Sequence, residues 1–193
     1  MLAFISRANN NNMWGSQYNG SLNRSTNGGG SWSTCTPGAA GTGAWVTPWK
    51  EDPVTANTIY AGFTNMWKST NGGVSWTQAG TITGNTATLT QFAISPANNQ
   101  VIWATTGAKL WKTTNGGGSW TQVTTIPPGS VSYIACSNTD ANKAWITFSG
   151  FADGQKVYAT TDACLTWTNV SYDLPNIPAN CIVYQNGSSD GIY

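Results

Sequence analysis

The sequence predicts an all-β chain made of four-stranded antiparallel units laid side by side. Three observations carry this: a motif ending in tryptophan that returns every 44 to 47 residues, short apolar runs separated by turn residues, and a composition suited to strands. The motif reads STNGGGSW at 25–32, STNGGVSW at 69–76, TTNGGGSW at 113–120 and TTDACLTW at 160–167. Its closing residues, Trp32, Trp76, Trp120 and Trp167, are spaced by 44, 44 and 47 positions. That period matches one four-stranded propeller blade of roughly 40–50 residues.

Within each unit the elements follow in a fixed order. Strand A is an apolar run: LAFIS, AWVTPW, QFAIS, YIACS and, in a fifth unit, CIVYQ. Strand B carries an aromatic residue: Trp14, Tyr60, Trp103, Trp145 and finally Tyr193. Strand C carries Trp67, Trp111 or Tyr158 and runs into the tryptophan-ended box. Strand D follows the box as SWTQA, SWTQV or TWTNV. The links hold Asn, Gly, Pro and Asp, the residues of turns, and no segment shows helical periodicity of useful length. The expected organisation is a single partial β-propeller, with blades at approximately 2–35, 44–80, 89–125 and 131–171 and a partial blade at 180–193. Four blades plus the first two strands of a fifth make an open arc or part of a larger propeller. Open edges expose strand groups and apolar faces. They are covered by the rest of a longer polypeptide, by other copies, or by a chain that completes a five-bladed ring.

The box lies at the turn between strands C and D. Its key positions are Ser25, Asn27, Gly29 and Trp32; Ser69, Asn71, Gly73 and Trp76; Thr113, Asn115, Gly117 and Trp120; and Thr160, Asp162 and Trp167. An Asn or Asp side chain can accept N–H bonds inside its own turn, and glycine permits positive φ. The box therefore reads as a turn staple repeated once per blade. A calcium or ligand site is the competing reading, and three of the four boxes carry Asn where an acid would hold a cation better.

Composition narrows the function. Only 8% of residues are charged and the net charge is +1, so no phosphate-binding footprint is present and nucleic acid is not an expected partner. Polarity comes from 28 Thr, 17 Ser, 20 Asn and 22 Gly. There is no His, which excludes a Ser-His-Asp or Cys-His site within this chain. No apolar run approaches the roughly 18 residues of a membrane span. No metal or cofactor site is expected.

The boxes resemble the Asp-box, or bacterial neuraminidase repeat, S-x-D-x-G-x-T-W. The departures are Asn27, Asn71 and Asn115 at the Asp position, and Ala163-Cys164 where Gly is usual. The family occurs in sialidases, sortilin-type receptors, xyloglucan-degrading endoglucanases and many secreted propellers. The strings WVTPWKEDPVTANTIYAGF, NMWKSTNGGVSWTQ, NNQVIWATT and KVYATTDACLTWTNVSYDLPNIPANCIVYQNGSSDGIY also look like the propeller region of large secreted Bacteroidetes proteins that use type IX secretion. This resemblance implies export and a secreted or cell-surface location. A sialidase needs three arginines, and only Arg7 and Arg24 are present, so none is complete in this chain.

A glycosidase needs two carboxylates flanking one bond. Glu51, Asp52, Asp140, Asp153, Asp162, Asp173 and Asp190 form no convincing pair. Trp45 and Trp49 fall outside the shared columns and, four apart on strand A, share one face; with Tyr172 and Asp173 they are the candidate ligand-binding residues. Packing between blades is the alternative role for the two tryptophans. Cys136 aligns with Ile94 and reads as a buried thiol. Cys164 and Cys181 are the candidate disulfide, worth roughly 3 kcal/mol if formed. The objection is that the C–D turn and the start of strand A lie at opposite ends of a blade. The expected function is a non-catalytic extracellular or cell-surface module binding a polysaccharide or a surface protein. The alternatives are the propeller portion of a secreted glycoside hydrolase and a structural subunit assembling through open edges.

Overall fold

The computed structural model describes residues 1–193. It is all-β, with four sheets of four antiparallel strands, each in sequential order. Blade 1 holds β1 (Ala3–Ile5), β2 (Met13–Ser16), β3 (Leu22–Ser25) and β4 (Ser33–Thr34). Blade 2 holds β5 (Trp49–Glu51), β6 (Ile59–Gly62), β7 (Met66–Ser69) and β8 (Thr77–Gln78). Blade 3 holds β9 (Gln91–Ile94), β10 (Ile102–Thr105), β11 (Leu110–Thr113) and β12 (Thr121–Val123). Blade 4 holds β13 (Ser130–Cys136), β14 (Ala144–Ser149), β15 (Val157–Thr160) and β16 (Thr168–Asn169).

One register runs through every blade. Phe4 faces Trp14, Lys50 faces Tyr60, Ala93 faces Trp103 and Ala135 faces Trp145. The same offset continues after blade 4. Val183 and Tyr193 exchange both backbone bonds, at 2.8 and 2.9 Å, and Tyr184 bridges Ile192. This two-stranded ribbon lays Ile182, Tyr184 and Ile192 on Ala135, Trp145 and Val157 of blade 4.

The segment AWVTPW is not a strand until its last residue. Pro48 has no N–H to give a ladder; its carbonyl accepts the Gly62 amide at 2.8 Å, and β5 starts only at Trp49. Trp45 and Trp49 therefore do not share a strand face.

The core lies between blades rather than within them, because each thin sheet uses its neighbour as its apolar wall. Trp14, Leu22 and Cys35 of blade 1 meet Trp49, Ile59 and Phe63 of blade 2. Tyr60, Met66, Ile82 and Leu89 meet Phe92, Ile102 and Trp111 of blade 3. Trp103 and Leu110 meet Val131, Ile146 and Phe148 of blade 4.

Hydrogen bonds cross the same junctions in both directions. Trp14 Nε1 donates to the Gly72 carbonyl at 3.0 Å, and Tyr60 OH to the Gly116 carbonyl at 3.5 Å. In return, Trp76 Nε1 donates to the Cys35 carbonyl at 2.7 Å, and Trp120 Nε1 to the Ala79 carbonyl at 2.9 Å. The third junction differs. Trp103 Nε1 donates to Cys164 Sγ at 2.9 Å, and Trp167 Nε1 is buried without a partner. The Trp32 ring lies half-exposed over Gly15.

Candidate binding face

The A–B and C–D turns of each blade lie together at one end of the sheet, here the lower face. Gly28, Gly72, Gly116 and Ala163 each donate their amide to an A–B turn carbonyl of their own blade, that of Asn11, Asn57, Gln100 and Asn142, at 2.8–3.0 Å. Inside the box, the Ser25 hydroxyl donates to Asn27 Oδ1 at 2.9 Å and accepts the Gly29 amide at 2.9 Å. Asn27 Oδ1 also accepts the Ser31 amide, and its Nδ2 donates to Ser31 Oγ, both at 2.9 Å. Asn71 with Ser69 and Ser75, and Asn115 with Thr113 and Ser119, repeat these bonds.

Blade 4 reverses one polarity. Asp162 cannot donate, so the Thr166 hydroxyl donates to its Oδ2 at 2.6 Å while the Thr166 amide donates to Oδ1 at 3.0 Å. These bonds hold the Asp162 carboxyl down at about 2. Ala163 and Cys164 take the glycine positions with φ of 61° and 71°, a conformation that costs a non-glycine residue energy. In all four boxes the Asn or Asp is turned inward onto its own turn.

The acids of the A–B turns are also engaged. Buried Asp52 accepts the Val54 and Thr55 amides at 2.8 Å and the Asn99 side chain of blade 3 at 3.0 and 3.1 Å. Glu51 accepts the Ser6 hydroxyl at 3.0 Å and the Asn57 amide at 2.9 Å, and Arg7 lies beside it while also donating to the Asp52 carbonyl. Asp140 accepts the Asn142 amide, and Asp190 pairs with Lys143 at 2.6 Å. Asp153 and Asp173 stand exposed on loops of the opposite, upper face.

Around the axis, β1, β5, β9 and β13 converge on a hollow of about 420 Å³. Lys50 reaches across it, its Nζ 5.4 Å from the centroids of both the Phe92 and Tyr133 rings. Burial pushes its ammonium down to about 8, partly countered by the nearby thiols of Cys136 and Cys181. The register makes this lysine visible: Phe4, Ala93 and Ala135 hold the matching position in the other blades.

The B–C and D–A loops form the upper face. Trp45 lies on the loop between β4 and β5 and is 71% exposed. Its ring stacks on exposed Tyr18 of the β2–β3 loop, with centroids 5.3 Å apart and planes at 16°. Two backbone bonds, Asn19 N to the Trp45 carbonyl at 3.4 Å and Gly43 N to the Asn19 carbonyl at 3.2 Å, tie the loops together. Trp49, by contrast, is 1% exposed and belongs to the core between blades 1 and 2. Tyr172 and Asp173 are exposed on the loop after β16, remote in sequence from the Tyr18–Trp45 pair. Tyr18 was the missed member. It too lies outside the repeat columns, and counting all aromatics rather than tryptophans alone would have found it.

The Cys164–Cys181 bond is not formed; all four cysteines are free. Cys164 sits in the lower-face box, buried against Trp103, whereas Cys181 is exposed at the start of the ribbon, at the upper end of its strand. Burial pushes the Cys35 thiol up to about 12 and Cys164 up to about 11, and raises Cys136 as well, so these three are poor nucleophiles. No three His, Cys, Asp or Glu side chains gather as a metal site would require, and no helix is long and apolar enough to cross a membrane.

Comparison with known proteins follows this architecture. A family model described as "Sortilin, neurotensin receptor 3" (Sortilin-Vps10) matches residues 64–187. No curated protein matches the chain. Among solved structures, the GH74 xyloglucanase from Xanthomonas campestris superposes with a TM-score of 0.73 at 15% identity, over 90% of this chain and 30% of that one. A GH74 enzyme of Niastella koreensis gives 0.67 at 23% identity, over 91% and 30%. YCF48 bound to D1 peptide gives 0.57 at 15% identity, over 86% and 51%. At these identities the likeness is one of fold. The chain spans 23% to 30% of the length of the GH74 enzymes it matches.

Proposed function

This chain belongs to the Sortilin-Vps10 family, and from that premise we propose that it is a non-catalytic β-propeller interaction module of a larger exported protein, binding a glycan on its upper face. The observation that carries the reading is the Tyr18–Trp45 pair: two exposed, stacked rings on loops tied by backbone bonds. A rigid aromatic surface offers a sugar ring a large contact at low entropic cost, and loops on a fixed scaffold are where propellers place recognition. The GH74 likeness fits a glycan partner, since one of those enzymes is a xyloglucanase. Non-catalytic describes the acids: five of the seven are committed to structural bonds. Export rests on the resemblance to type IX secretion substrates.

The test is calorimetric titration with xyloglucan oligosaccharides. Trp45→Ala should weaken binding about tenfold or more, roughly 1.4 kcal/mol, while Trp32→Ala, which removes a half-exposed tryptophan of the lower-face box, leaves it unchanged. Equal affinity in wild type and Trp45→Ala would sink the reading. A protein partner is the second reading, favoured by the likeness to YCF48 in its peptide complex. Assembly through open edges is the third, and half-exposed Trp32 is its observation.

A further inference from the structure

We propose that the upper face of blade 4 holds a second, separate subsite, selective for a single carboxylate carried on a sugar ring, with Lys156 as its anchor. It rests on the reading that the upper face binds glycans, and it names the chemistry of one part of that face. Lys156 is 1% exposed, among the most deeply buried side chains of the molecule. Its Nζ donates to the Gly150 carbonyl at 2.8 Å and to Asn176 Oδ1 at 2.9 Å. Both partners are neutral, and no carboxylate pairs with this lysine; the two ion pairs of the chain are Arg7–Glu51 and Lys143–Asp190. A buried ammonium has three donors and normally finds a counter-charge, because burying an uncompensated charge is costly. Here two donors are used and the charge is unbalanced.

The side chain lines a hollow of about 130 Å³ whose other walls are Leu174, Pro175, Ile177, Pro178 and Ala179. That volume admits a carboxylate and the carbon that bears it, with the rest of the ligand outside. Gly150 and Asn176 belong to two different loops, which the lysine ties together. Pro175 and Pro178 stiffen one side of the hollow. Tyr172 and Phe151 are exposed on the same two loops. Asp153 and Asp173 also stand exposed there. They disfavour a polyanion, which narrows the ligand to one negative charge on a largely neutral body. A uronic acid within an otherwise neutral oligosaccharide has this form.

The experiment is calorimetric titration of glucuronosyl-xylotriose against xylotetraose, its neutral counterpart. The expected result is an affinity for the uronate at least about tenfold higher, reduced to the neutral level in Lys156→Met. Loop collapse in that variant is controlled by Ile177→Asp, which sets a carboxylate at the exposed rim and leaves the Lys156 bonds in place; it should lose the same preference. Equal affinity for the two sugars, or a preference that survives Ile177→Asp, overturns the subsite while the glycan reading stands. Displacement of the uronate by N-acetyl-leucine at lower concentration than by free glucuronate overturns it in favour of a peptide carboxylate. Binding of neither sugar, nor of xyloglucan oligosaccharides, overturns the upper-face reading with it.

Discussion

On the lower face one bonding scheme returns four times, with a single polarity reversed in blade 4; on the upper face no two blades carry the same loop. Below, each box closes on itself, each A–B turn holds its box, and carboxylates such as Asp52 reach the next blade. Above, the link from β4 to β5 carries an exposed indole, that from β12 to β13 is short, and that after β16 carries two prolines and an exposed phenol. Repetition goes with saturated polar groups, and irregularity goes with exposed aromatic surface and an unbalanced charge. The lower face maintains the fold, and the upper face is free to vary.

That contrast is broken most directly at Asp52. Asp52→Ala should lower unfolding stability by about 2 kcal/mol, since it removes the buried acceptor shared by two turn amides and the Asn99 side chain; chemical denaturation with unchanged m-value would check it. A cost below about 0.5 kcal/mol would mean the lower face is not the structural one. At the blade junctions, Trp120→Phe shrinks the indole to a phenyl ring and removes its bond to the Ala79 carbonyl, the bond alone being worth about 1 kcal/mol. Trp167→Phe makes the same loss of ring surface but breaks no hydrogen bond, because its indole N–H has no partner, so it should cost about 1 kcal/mol less. Equal losses in the two variants would show that the third junction is locked like the second.

The smallest effect is acid sensitivity in the fourth box. Asp162 is held at about 2 when folded against an ordinary 3.8. Its contribution is therefore present above about pH 4 and is lost as pH falls toward 2. Asp162→Asn should flatten that part of the pH–stability curve. A wild-type midpoint that does not fall between pH 4 and 2 relative to the variant would contradict the bonding described for Thr166.

The blades were legible because their period, aromatic columns and turn residues are local signals that agree with one another. Even the ribbon at 180–193 keeps the register that Tyr193 suggested. Trp49 was misplaced because a proline two-residue step, Pro48-Trp49, shifts the start of β5, and a shift along a strand changes which face a side chain meets. The cysteine pairing failed on three-dimensional grounds, since closeness in sequence carries no information about opposite ends of a blade. Lys156 gave no signal at all. Lys109 occupies the matching position in blade 3, and nothing local says that one lysine is solvated and the other walled in by a loop some 20 residues later.

The bonds of the box tryptophans Trp76 and Trp120 join residues 41 positions apart, and no tryptophan bond between blades skips a neighbour. Excising 70–113 in register would let Trp120 find the Cys35 carbonyl and Trp14 find the Gly116 carbonyl, and would set Tyr60 at the column from which Trp103 now donates to Cys164. A gene that gains or loses one such unit by unequal recombination thus keeps a foldable product, and the arc's length becomes a quantity that evolution can adjust without redesigning any of its seams.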